Sequence, residues 1–290
     1  MANLKEVKQR INSVSSTQQI TRAMKMVAAA KLRRAQDRIL KMRPYSQKLT
    51  AILDEVVASM GGELEIVYAD QRPVQKVLIV AMTSDKGLCG AFNSNILKTV
   101  VGLTNNEYKG KQVTVLPLGK KAFEFFSRRD FDVKGDFYEI FKEVTYDEVR
   151  KIAAFAMEGF LNKSYDEVVL VYNHFRNVAT QDLTVEKFLP MGSLSSGTTE
   201  VKQTDYILEP SKEYVVQDLV PTALKTQFYK AVLESNASEH GARMTSMDKA
   251  TENAAELLKE LKLMYNRTRQ AAITSEILEI VAGANALEGN

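Results

Sequence analysis

Enzymatic chemistry needs a nucleophile, an acid–base pair, a metal-ligand cluster or a phosphate cradle, and this chain is poor in all of them. It holds two histidines, His174 and His240, and one cysteine, Cys89. No His, Cys or carboxylate group shows metal-ligand spacing, and neither HExxH nor GxSxG occurs. Cys89 has no partner for an intrachain disulfide and reads as a small buried thiol in a reducing compartment. His174, beside Phe175 at the end of an apolar run, reads as a surface or structural residue. Thr83-Ser84-Asp85-Lys86-Gly87-Leu88-Cys89-Gly90-Ala91-Phe92-Asn93 stands where a nucleotide loop would stand. It lacks both GxGxxG and GxxxxGK[ST], so it reads as a plain turn from strand to helix. No catalytic residue, cofactor or metal is expected.

What the chain does carry is lopsided charge. Residues 1–43 hold eleven Lys and Arg against two acids, Glu6 and Asp37. That is a balance of +9, which leaves −6 for the rest of a chain whose total is +3. So one-sided a helix calls for an acidic partner, such as nucleic acid, anionic lipid or an acidic protein surface. At 45% hydrophobic and 26% charged the composition is that of a soluble globular protein. No run approaches the ~20 apolar residues of a membrane span. The first residues resemble neither a signal peptide nor a transit peptide.

Long helices must position that charge. Asn3 with Glu6 makes an N-cap and capping box. From there Leu4, Val7, Ile11, Val14, Gln18, Thr21, Lys25, Ala28, Leu32, Ala35, Ile39 and Met42 recur at spacings of three and four. This is a heptad seam, and its polar members Gln18, Thr21 and Lys25 can set register. In the last seventy residues Pro221 suits a first helical turn. Beyond it runs a stripe of Met244, Met247, Thr251, Ala254, Leu258 and Leu261. A second stripe in another phase takes in Leu263, Asn266, Gln270, Ile273, Ile277, Ile280, Ala284 and Leu287. The change of phase predicts a change of neighbour. The simplest mate for this helix is the first one, packed antiparallel.

Between the helices the period shifts. Lys76–Met82 is a continuous apolar run, the mark of a strand buried on both faces. A helix bearing Ile96, Leu97, Val100 and Val101 follows, then a strand at 113–116 and a short helix at 120–129 with Phe123 and Phe126. Thr145 and Glu148 cap a helix carrying Val149, Ile152, Ala153, Ala156 and Phe160. Strands at 168–172 and, with alternation fit for a sheet edge, 183–189 close the series. Strand–helix alternation predicts an α/β fold with a parallel, Rossmann-like sheet. The expected organisation is a coiled-coil helix over 1–60, an α/β foot domain over 74–210 and a second coiled-coil helix over 211–290.

The motifs themselves carry a resemblance. The stretch from Ile11-Asn12-Ser13-Val14 through Thr17-Gln18-Gln19-Ile20-Thr21-Arg22-Ala23-Met24-Lys25-Met26-Val27-Ala28-Ala29-Ala30-Lys31 resembles the N-terminal signature of F-type ATP synthase gamma subunits. Ser84-Asp85-Lys86-Gly87-Leu88-Cys89-Gly90 is similar to that family's central motif. Ala242-Arg243-Met244, Ala250 to Ala254, Tyr265 to Thr274 and Glu276 to Val281 resemble its C-terminal signature.

The resemblance implies an antiparallel coiled coil inside a ring of alpha and beta subunits, and a foot bound to the epsilon subunit and the c-ring. It implies rotary coupling of ion flow to ATP synthesis by a subunit that is itself non-catalytic. Attachment to the cytoplasmic face of a bacterial inner membrane would be through the complex only. The basic residues Arg22, Lys25, Lys31, Arg33 and Arg34 would meet an acidic loop of the beta subunits. Arg269, Gln270, Thr274, Glu276 and Glu279 would make polar contacts higher up. Residues 282–287 would enter an apolar sleeve, and Tyr206, Ile207 and Glu209 would lie near the c-ring. Lys25 departs from relatives with an acid there. The cysteine-bearing insertion of chloroplast forms is missing, so no thiol switch is expected.

Two other readings compete. A basic coiled coil could bind nucleic acid, but residues 1–43 hold no Phe, Tyr or Trp to stack on bases. A nucleotide-binding α/β enzyme would need the phosphate loops that are missing.

Overall fold

The computed structural model describes residues 4–59, 66–191 and 212–288. Helix α1 runs Leu4–Ser59 and helix α5 runs Lys212–Glu288. Between them come β1 (Lys76–Met82), α2 (Phe92–Asn105), β2 (Gln112–Leu118), α3 (Lys120–Phe126), β3 (Asp132–Val133), α4 (Tyr146–Leu161), β4 (Glu167–Phe175) and β5 (Gln181–Leu189). Two compact units result. One joins residues 1–27 to residues 244–290, and the other spans 28–243.

In the first unit the seam is the least exposed line along α1. Val7 and Thr21 are buried, while Ile11, Val14, Gln18 and Lys25 are half-buried. Val7 shares a cavity lining with Leu257 and Leu261, Thr21 meets Thr251, and Lys25 meets Asp248. The partner number falls as the α1 number rises, so the two helices are antiparallel. The Thr251 hydroxyl donates to Thr21 at 2.8 Å, and Thr21 donates to the Gln18 carbonyl at 3.0 Å. Lys25 Nζ lies 2.5 Å from Asp248 Oδ1. The polar seam residues therefore fix register, as polar core positions do in coiled coils.

Only the earlier stripe of α5 has its mate here. Met247, Ala254 and Leu261 are buried. From residue 269 to residue 285 every position is exposed, including Ile273, Ile277 and Ile280. Among the described residues this later stripe has no mate on α1, which is described from Leu4.

In the second unit the α1 seam continues through Ala28, Leu32, Ala35, Ile39, Leu49, Leu53 and Val56, all buried. Pro44 lies inside the helix. Its missing N–H and ring clash cost ~3 kcal/mol, which burial on both sides of it offsets. Pro221 likewise lies within α5 and not in its first turn. Val216, Val220 and Leu224 share one buried face across it, so packing overrides the proline stop signal.

The sheet has the order β3-β2-β1-β4-β5. β1 pairs in parallel with β2 and β4, whereas β5 is an antiparallel edge. Val77 to Met82 are wholly buried because helices cover both faces. Phe92, Ile96, Val100, Ala122 and Phe126 pack with β1 and β4 into one core. The Thr145 hydroxyl accepts from the Glu148 amide at 3.4 Å and caps α4 as its sequence predicts. On β5 the alternation is real, but Leu183 and Val185 face outward while Glu186 meets Gln227 of α5.

Candidate partner interface and the filled sheet crevice

In an open α/β sheet the ligand crevice lies beyond the carboxyl ends of the strands, where the strand order reverses. Here that point falls between β1 and β4. It is filled by α5. The Ser235 hydroxyl donates to the Met82 carbonyl, the last residue of β1, at 3.3 Å. His174, near the end of β4, pairs with Glu234. Arg243 Nη2 donates to the Lys86 and Gly87 carbonyls at 2.8 and 3.2 Å, and its other arm pairs with Glu239. Three consecutive turns of this chain's own helix thus take the place of a nucleotide.

The loop after β1 is built for the same purpose. The Asn93 carbonyl accepts from the Ser84 amide at 2.9 Å, and its amide donates to Ser84 Oγ and Cys89 Sγ. Asp85 accepts from the Lys120 amide at 3.1 Å, holding the start of α3. Gly119 at φ 101 is obligatory, since a Cβ there would lie 2.2 Å from the Thr83 carbonyl oxygen. Cys89 is buried, as the small buried thiol expected there. Leu88, at φ 64, holds an apolar side chain out on the surface. Sequence reasoning missed it, because a left-handed leucine has no spacing signature.

Burial is the leading cause of the shifts at His240 and Arg243. The His240 imidazole is held down at about 4 by burial and then by the nearby Lys31 ammonium. Burial lowers the Arg243 guanidinium from its ordinary value. Among the described residues no group of three His, Cys, Asp or Glu could hold a metal ion.

The contact residues read from the sequence lie mostly on outer faces. Arg22, Lys31, Arg33 and Arg34 are exposed, whereas Lys25 is half-buried and engaged by Asp248. Exposed Ile20, Met26 and Val27 lie among the basic residues. Arg269, Gln270, Thr274, Glu276 and Glu279 are exposed on the unpaired end of α5, together with Leu278 and Val281. Arg22 and this α5 set belong to one compact unit, and Lys31, Arg33 and Arg34 to the other. Tyr206, Ile207 and Glu209 lie outside the described residues.

A heptad-paired couple of terminal helices, a Rossmann-like sheet with its crevice filled from within, and outward charged and apolar surfaces define a coiled-coil protein made to engage partners. A family model described as ATP synthase matches residues 3–287. The chain is 52% identical to the ATP synthase gamma chain of Cytophaga hutchinsonii over 99% of both chains. It is 54% identical to that of Flavobacterium johnsoniae over 100% of both. Among solved structures, a chain of the Tetrahymena thermophila mitochondrial ATP synthase central stalk and c-ring matches with a TM-score of 0.55 at 28% identity, over 80% of this chain and 99% of that one. A chain of the Euglena gracilis mitochondrial ATP synthase matches in fold, with a TM-score of 0.64 at 21% identity over 98% and 94%. The chain belongs to the ATP synthase gamma chain family. It is a stalk component of that synthase and serves ATP synthesis.

Proposed function

We propose that the chain is a non-catalytic rotor. It would turn inside a ring of alpha and beta subunits and pass torque from a membrane-embedded c-ring, with epsilon bound at its sheet unit. The observation that carries this reading is the crevice filled by Ser235, Glu234 and Arg243, which converts a ligand site into a socket for the stalk helix. The outer face of α1 supports it with Arg22, Lys31, Arg33 and Arg34, suited to the acidic loops of beta subunits. The end of α5 supplies polar Arg269, Gln270, Thr274, Glu276 and Glu279 beside an apolar stripe for the sleeve of the ring. Tyr206, Ile207 and Glu209 are proposed as the segment near the c-ring.

Because the stalk lacks threefold symmetry, it meets each beta subunit differently. It would bias each site's conformational equilibrium through differential contacts. No described helix is long and apolar enough to cross a membrane, and attachment through the complex at the cytoplasmic face of a bacterial inner membrane fits this reading. The purified chain alone is expected to hydrolyse no ATP, and adding it to its alpha and beta subunits should yield ATP-driven rotation. Hydrolysis by the chain alone, or a ring indifferent to its addition, would overturn the reading.

A further inference from the structure

We propose that His174 and Glu234 form a rotational lock, an imidazole–carboxyl contact that fixes the angular phase of α5 in the sheet crevice so that torsion passes from helix to sheet without slip. The inference rests on the stalk role above. The side chain of Glu234 is only 4% exposed. Burying a carboxylate costs several kcal/mol unless it is paired, and its partner is the half-exposed His174 imidazole of β4.

A polar contact to a buried acid is weak evidence for stability, since apolar residues of similar volume usually pack as well. The best-attested reason to keep one is register. Arg243 ties α5 to the loop after β1 nine residues further on, but beside Glu234 itself the packing supplies little register. Ala231, Ser235, Ser238 and Ala242 form a line of small buried side chains, and Ala242 packs in the sheet core. Apart from the Ser235 hydrogen bond to Met82, contacts of that kind are non-directional and oppose rotation about the helix axis only weakly.

Packing does not wedge the helix on its Glu234 side either. A cavity of about 150 Å³ opens there, lined by Ile39 and Arg43 of α1, Lys230 and Glu234 of α5, and His174. One neutral hydrogen bond, from Ser235 to Met82, assists the lock, and Gln227 donates to Glu186 of β5 at 2.6 Å. Hydrogen bonds to a charged group are roughly twice as strong as neutral ones, so the His174–Glu234 contact outweighs the Ser235–Met82 bond next to it.

Single-molecule rotation tests this. The full chain is assembled with its alpha and beta subunits on a surface, and a bead is fixed to the sheet unit through Lys109→Cys. Cys89 is buried and stays unlabelled. The reading is the spread of bead angle during pauses at limiting ATP, beside bulk ATP hydrolysis. His174→Ala is expected to broaden the spread with hydrolysis unchanged, and His174→Lys, which again offers Glu234 a donor, to narrow it again. Glu234→Gln keeps the shape of the side chain and carries the test if His174→Ala fails to assemble. A wild-type spread in His174→Ala and Glu234→Gln would overturn the lock. So would a His174→Lys spread as broad as that of His174→Ala, because packing alone would then be responsible. A wild-type bead that never turns would instead overturn the stalk role, and the lock with it.

Discussion

Truncating Leu32 should damage the fold, whereas reversing its neighbours Arg33 and Arg34 should damage only the function. Leu32 is 4% exposed and flanked along the seam by Ala28 and Ala35, both buried. Leu32→Ala loses the transfer free energy of the side chain and leaves a cavity that two alanines cannot fill. Such substitutions cost ~2–5 kcal/mol, and the small neighbours place this one toward the upper end. For a cooperative unit of this size each kcal/mol is worth about 2–4 °C, so melting should fall by ~4–20 °C. Arg33 and Arg34 are exposed. Arg33→Glu faces Asp37 four residues on, a repulsion of about 0.2–0.5 kcal/mol, while Arg34→Glu faces Arg38 and gains about as much. The double reversal should leave the melt within ~1 kcal/mol of wild type yet weaken ATP-driven proton pumping in reconstituted vesicles. Circular dichroism melts of the full chain, beside pumping and hydrolysis assays of the complex, separate the two arms. An unchanged melt for Leu32→Ala, or unchanged pumping for the double reversal, would refute the division between seam and surface.

Ile280→Asp lies on the unpaired end of α5, where Ile280 is 70% exposed. It should leave the melt of the free chain within ~0.5 kcal/mol while impairing assembly with the ring, and a large loss of melting temperature would show that this stripe is already covered in the free chain. His240, held at about 4 by burial and Lys31, stays neutral in the folded chain while the unfolded chain takes up its proton near 6.5. The associated stability is full above about 6.5 and is lost as pH falls toward 4, by up to ~3 kcal/mol. Nuclear magnetic resonance titration of the imidazole, with melts at either end of that window, checks it. A His240 titrating near 6.5 would remove the effect.

The heptad seam, the strand and helix alternation and the Thr145 cap were legible in the sequence because each depends on a local period or a short-range bond. Motifs at both ends identified the family for the same reason, since residue order survives without a fold. The partners of those residues were not legible. Nothing in the one-dimensional pattern says that Ile273, Ile277 and Ile280 stand exposed while Met247, Ala254 and Leu261 are buried. Nor does it pair Lys25 with Asp248, 223 residues away. Pro221 read as a helix start because propensity is local, and packing of Val216, Val220 and Leu224 overrode it. His174 and Glu234, 60 residues apart, carry no shared motif. Only the crossing of α5 over the carboxyl ends of β1 and β4 brings them together, because a buried charge finds its partner in space and not along the chain.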